Sequence, residues 1–179
     1  MKSVGIPLIL TFTLDEGSQS RLDAWRSSYF PPERNHLKAH LTIYHQLPGQ
    51  MLRDITGRLE EFVRDKEFAP IDFTELKTRG GFVGVMMEAP ALHVLRAGLN
   101  EIFSEHLRAQ DKQPYKPHVT ITNLGSPSVA QKCFDALQGE FKPWQGYASG
   151  LELYHYRGGP WELASRHAFA LGDGSGLRP

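Results

Sequence analysis

Residues 7–14 run through branched and aromatic side chains almost without interruption, which fits a first strand buried on at least one face. Asp15, Glu16, Gly17 and Ser18 break it. Leu22 and Trp25 recur at helical spacing among polar neighbours over residues 18–29, and Pro31-Pro32 stops that helix. A polar connector, residues 33–37, leads into an extended stretch over 40–47, and Pro48-Gly49 turns the chain. Over residues 51–68, Leu52, Ile55, Leu59, Phe62 and Val63 step by three and four, the stripe of an amphipathic helix. Residues 71–77 and 82–88 read as a hairpin around Thr78-Arg79-Gly80-Gly81, whose glycines can take positive φ.

The pattern then begins again. Pro90 suits the first position of a helix, with Leu92, Leu95, Leu99, Ile102, Phe103 and Leu107 as its buried stripe. After a connector at 111–114 comes a second extended stretch, 118–124. Ser126 with Pro127 behind it caps and opens a helix that continues to about Gln138. Residues 151–157 and 161–171 form a second hairpin around Gly158-Gly159-Pro160, and 172–179 read as a flexible tail. Each half runs through a helix and an extended stretch to a further helix and two strands. Two copies at so long a period do not make a solenoid. They predict an α+β fold of two lobes related by a pseudo-two-fold axis, residues 1–179 forming one domain of intertwined lobes with a cleft between them.

Both halves carry the same motif at the corresponding point: Lys38-Ala39-His40-Leu41-Thr42-Ile43 and Lys116-Pro117-His118-Val119-Thr120-Ile121. In a strand, residues i and i+2 share a face about 7 Å apart, so each copy presents a histidine beside a threonine. An imidazole takes or gives a proton near neutral pH, and a threonine hydroxyl donates to an oxyanion without becoming charged. The guest that suits two such pairs is a phosphodiester.

Composition narrows the partner. Lysine and arginine together number 20 and so do aspartate and glutamate, giving zero formal charge, so nucleic acid is expected to be met at one end or one phosphate and not along a coated duplex. The 40% hydrophobic and 22% charged fractions are those of a globular chain. The single cysteine, Cys133, excludes an internal disulfide framework and suits a reducing compartment. The opening residues contain Pro7 and lead to no small-residue cleavage site, and no apolar run reaches the roughly 20 residues of a membrane span, so the expectation is a cytoplasmic protein without a membrane partner.

At the paired motifs the sequence resembles the 2H phosphoesterase superfamily, which includes 2′-5′ RNA ligase-like proteins and cyclic nucleotide phosphodiesterases. The likeness extends from the early strand at Leu8 through both motifs to the closing Leu153-Tyr154-His155-Tyr156-Arg157-Gly158-Gly159-Pro160-Trp161. It implies a bilobal 2H phosphoesterase fold, antiparallel sheets lining a concave cleft with helices outside, and chemistry that needs no metal or other cofactor. It also implies that His40 and His118 are the catalytic acid/base pair and that Thr42 and Thr120 bind the non-bridging phosphate oxygens. Where the family's commonest second motif has a basic residue shortly after the threonine, this chain has Thr122-Asn123.

Further substrate contacts are sought on the same faces. Lys38 and Lys116 share the parity of the histidines and can add positive charge at the rim, although a lysine opening a strand is more often a solvated flank. Tyr44, two beyond Thr42, can bond phosphate or stack on a base, or simply pack. Tyr154, Tyr156, Arg157 and Trp161 offer stacking surfaces and a cation near the final hairpin, with Trp161 of a type more often found in cores. His36, His40 and His45 lack the spacing of metal ligands, and no Gly-rich phosphate loop is present.

The expectation is a monomeric, metal-independent phosphodiesterase that opens a 2′,3′-cyclic phosphate, or cleaves a related phosphodiester, on a nucleotide or an RNA end. The alternatives are a module that binds such an end without turnover and a 2′-5′ RNA ligase running the same chemistry in reverse.

Overall fold

The computed structural model describes residues 5–123 and 125–170. Leu124, the end of the second hairpin at Leu171 and the tail at 172–179 lie outside them. Strand β1 spans Leu8–Leu14 and is followed by helix α1, Glu16–Tyr29. The helix begins earlier than its apolar spacing suggests because Asp15 is its cap: one carboxylate oxygen accepts the Ser18 N–H at 2.9 Å and the other accepts Tyr147 N–H at 3.0 Å. After β2, Leu41–Leu47, comes α2, Leu52–Val63, shorter than the expected 51–68. Its apolar stripe ends at Val63. Beyond it the chain pairs with the C-terminal segment through Phe68 N–H to Ala170 O at 3.1 Å and Ala170 N–H to Lys66 O at 2.8 Å, so tertiary pairing overrides helix continuation.

Strands β3, Ala69–Arg79, and β4, Phe82–Glu88, form the expected hairpin, with Gly80 at φ 59° making the turn. Helix α3, Pro90–Phe103, buries Leu92, Leu95, Leu99 and Phe103. It leads through a short 3₁₀ turn and a loop to β5, His118–Thr122. Helix α4, Pro127–Glu140, is capped by the Ser126 hydroxyl. The final hairpin is β6, Trp144–Tyr156, and β7, Trp161–Ala168.

Among the described residues seven strands form one antiparallel sheet of order β2-β1-β6-β3-β4-β5, with β7 beside the outer part of β6. Read from either edge, the order is the same: a motif strand, its antiparallel partner, then a strand supplied by the other half of the chain. The repeating unit is therefore strand, helix, motif strand, helix, strand. β3 is donated by the first half to the second, β6 by the second half to the first, and the pseudo-two-fold passes between them where residues 69–73 pair with 144–148. The hairpin β3–β4 straddles the two units instead of closing one, and β7 lies outside the repeat.

Helices α3 and α4 cover β3, and α2 packs on β7. Helix α1 leans on β5, and the two motif strands, β2 and β5, approach each other at the open edges of the curled sheet. Among the described residues they are not hydrogen-bonded into a barrel. Fully buried Tyr44, Phe73 and Phe103, with Leu and Ile from every layer, form one continuous core beneath them.

Candidate active site

The two motifs are presented alike. His40 Nδ1 lies 2.9 Å from the Lys38 carbonyl oxygen, and His118 Nδ1 lies 2.8 Å from that of Lys116. In both, a carbonyl two residues upstream accepts the Nδ1 proton, which fixes the neutral tautomer and leaves Nε2 to face the cleft. His40, Thr42, His118 and Thr120 line one cleft of about 480 Å³. Each motif strand also carries a β-bulge immediately after its threonine. On β2, Thr42 pairs with Thr11 but Tyr44 with Leu10; on β5, Thr120 pairs with Gly84 but Thr122 with Val83. In each case two steps on the motif strand oppose one on its neighbour.

The bulge corrects one expectation. Tyr44 does not share the face of Thr42, because the extra residue reverses side-chain parity. Its ring is fully buried against Phe103, and its hydroxyl donates to Asn100 Oδ1 at 2.6 Å. His45 turns to the cleft instead. On β5 the same reversal buries Thr122 and brings Asn123 to the cleft, so His45 and Asn123 occupy equivalent places in the two halves.

Helix α1 holds the first motif with three polar residues on one face, Gln19, Asp23 and Arg26, at i, i+4 and i+7. Gln19 Nε2 donates to Ala39 O at 2.8 Å, and Asp23 accepts Ala39 N–H at 2.6 Å, gripping the residue before His40. The buried Arg26 donates through Nε to Asn35 Oδ1 and Leu37 O and through Nη1 to Thr120 O at 3.0 Å. One guanidinium thus ties the approach to His40 to the backbone of the second motif. Tyr115 ties them again, its hydroxyl donating to Thr42 O at 3.1 Å.

The histidines differ in what covers them. Trp161 packs on the His40 ring with centroids 4.5 Å apart, whereas Phe82 meets His118 edge-on at 5.7 Å. The Phe82 ring fits because residue 84 is glycine: a Cβ there would lie 2.3 Å from Phe82 Cζ. Burial pushes the His40 pKa down from 6.5 to about 4; its Nδ1 bond to Lys38 opposes the shift, and the charges of Arg26, His118 and His45 reinforce it.

Of the remaining candidates, Lys116 lines this cleft and Lys38 lines a neighbouring groove of about 610 Å³ that meets it at His40 and Trp161. Tyr154 stands in that groove 5.6 Å from Trp161, its hydroxyl bonded to Glu152. Trp161 is half-buried at the junction and not in the core. Tyr156 and Arg157 line neither cleft; Tyr156 is exposed beyond the bulge of the last hairpin, and Arg157 pairs with Glu162. Among the described residues, no three His, Cys, Asp or Glu side chains gather in a way that could hold a metal ion. Arg26, His45, Arg96, Asp111 and Tyr115 are not among the sequence candidates. The polar i, i+4, i+7 face of a helix with only two large apolar residues is the one available signal, and it points to Arg26.

A model of the 2′-5′ RNA ligase superfamily matches residues 14–160, a span that contains both motifs and ends beside Trp161. The chain belongs to the 2′-5′ RNA ligase superfamily. No curated protein matches it. Solved structures of similar fold include TT0787 of Thermus thermophilus, 16% identical with a TM-score of 0.64 over 93% of this chain and 100% of that one. They also include E. coli LigT complexed with 3′-AMP, 17% identical with a TM-score of 0.63 over 92% of this chain and 99% of that one. LigT has further been solved with NADP+ and with ATP. At these identities the structures establish a shared 2H phosphoesterase fold, and superfamily membership supports a phosphoesterase-type activity.

Proposed function

We propose that this superfamily member is a metal-independent phosphodiesterase that opens a 2′,3′-cyclic phosphate on a nucleotide or an RNA end. The observation that carries the reading is the matched pair of Nδ1-anchored histidines, each followed by a threonine, on one cleft. His40, with its pKa near 4, is neutral at pH 7 and suits the general base, taking a proton from the attacking water through Nε2. Proton donation to the departing ribose oxygen then falls to His118. The P–O bond to that oxygen breaks as the new P–O bond to water forms, and a phosphomonoester results.

Thr42 and Thr120 donate to the non-bridging oxygens, where charge accumulates. Their placement is prepared before substrate arrives, because Arg26 and Tyr115 fix the Thr120 and Thr42 peptides. Trp161, half-exposed at the cleft junction, offers the base a stacking face. The nucleotides bound in LigT structures agree with a nucleotide partner.

The test is turnover of 2′,3′-cyclic mononucleotides in the presence of chelator by the wild type, His40→Ala and His118→Ala. Each substitution is expected to lower kcat about 100- to 10,000-fold while nucleotide binding changes little. Wild-type rates in both variants would sink the proposal, and strict dependence on added divalent metal would replace it with another mechanism.

A further inference from the structure

A third histidine faces the cleft, and the proton transfers leave it without a task. His45 reaches it because of the bulge after Thr42, and its side chain is 53% exposed. It is nevertheless rigidly held. The buried Asp111 carboxylate receives the His45 backbone N–H at 3.0 Å and lies 2.8 Å from Nδ1, so Nε2 is the ring atom left for a ligand. Burial alone would raise the Asp111 pKa, but the bond from the His45 ring and the backbone N–H groups of His45 and Gln46 outweigh it and keep the carboxyl below its ordinary range.

Behind this pair stands Arg96, only 7% exposed. It donates to the Asp111 carbonyl oxygen and lies over Tyr115 at 4.7 Å, while its Nε finds no partner among the described residues. Arg96 and Lys116 line the same cleft as His45, and Asp111, the one carboxylate that lines it among the described residues, already bonds His45. This end of the cleft is therefore cationic, with a preset imidazole at its wall.

Resting on the proposed function, we propose that His45, oriented by Asp111 and backed by Arg96, is a subsite for a second phosphate on the same substrate, one ribose-phosphate repeat from the phosphate that reacts. Three residues of strand, less the one absorbed by the bulge, put His45 about 7–10 Å beyond Thr42, a spacing suited to neighbouring phosphates of one nucleotide chain. A phosphate at Nε2 favours the imidazolium, which then donates a charge-assisted hydrogen bond. The equivalent place in the other half holds Asn123, which carries no charge, so the subsite is one-sided and gives the substrate a direction along the cleft.

The two sources of such a phosphate are the 5′-phosphate of a free nucleotide and the internucleotide phosphodiester of an RNA end. Calorimetric titration separates them with three probes: adenosine 3′-phosphate, adenosine 3′,5′-bisphosphate and a dinucleotide bearing a 3′-phosphate. The wild type is expected to bind a second-phosphate probe about tenfold more tightly than adenosine 3′-phosphate, the worth of one charge-assisted bond. The tighter of the two identifies the source. In His45→Ala that preference falls to near one, while the buried Asp111 keeps the backbone N–H groups of residues 45 and 46. Equal binding of all three probes by the wild type, or an unchanged preference in His45→Ala, overturns the subsite even if cyclic phosphates are hydrolysed. A preference that needs His45 in a protein without turnover keeps the subsite and removes the phosphodiesterase.

Discussion

Lowering the pH through the range in which an ordinary histidine titrates should cost this protein stability specifically at His40. The folded pKa is near 4 against 6.5 for a free side chain, so the unfolded chain binds the proton first. The sign follows: above pH 6.5 His40 is neutral in both states and contributes no penalty, and the penalty grows as pH falls from 6.5 towards 4. With those two values it amounts to about 2 kcal/mol at pH 5 and about 3 kcal/mol at pH 4. The assay is urea unfolding of wild type and His40→Asn at pH 7.5 and pH 5, because groups common to both proteins cancel in the difference. The wild type is expected to lose about 2 kcal/mol more than the variant between these pH values. The same depression predicts that the acid limb of kcat/KM lies near pH 4, not near 6.5. Parallel pH dependence of the two proteins, with an acid limb at the ordinary histidine value, would refute the argument that burial sets the protonation of His40.

Two more perturbations probe the support of the site. Arg26→Met keeps much of the aliphatic stem but strips the donors from Leu37 O, Asn35 Oδ1 and Thr120 O. It is expected to cost about 3 kcal/mol in chemical denaturation, and to lower kcat more than it raises KM because it loosens one motif against the other. Trp161→Ala uncovers the His40 ring, so the acid limb of kcat/KM should move up from about 4 towards 6.5, as a pH–rate profile would show. An unmoved limb would mean that other groups bury His40.

The elements and the repeated plan can be read from apolar spacing, because a stripe of three- and four-residue steps or a run of branched residues is a local property. So can the paired motifs. What escapes depends on partners distant in sequence. A β-bulge has no periodicity of its own and exists only relative to the neighbouring strand, so simple alternation puts Tyr44 on the face that His45 takes. The exchange of β3 and β6 between halves is likewise a property of pairing, and local pattern groups the β3–β4 hairpin with one half. Apolar spacing overextends helix α2 because the bridge that ends it involves Ala170, more than a hundred residues away. Asp111 looks like part of a polar connector, and only its burial beneath His45 makes it a determinant of the cleft.

The pseudo-two-fold solves one half of a catalytic problem and creates the other. Repeating strand, bulge and Nδ1 anchor places two imidazoles and two threonines alike on one cleft, with no new fold required. Yet acid/base catalysis needs its two groups in different protonation states at the same pH, and identical surroundings would not decide which histidine is the acid and which the base. Arg26 on α1 and His45 on β2 add to the asymmetry from within the repeat, but burial leads it. β7 is the strand without a counterpart, and it supplies the Trp161 that covers His40. Under the proposed mechanism the duplicated units build the geometry, while the added hairpin strand favours His40 as the base by covering its ring and leaves His118 exposed.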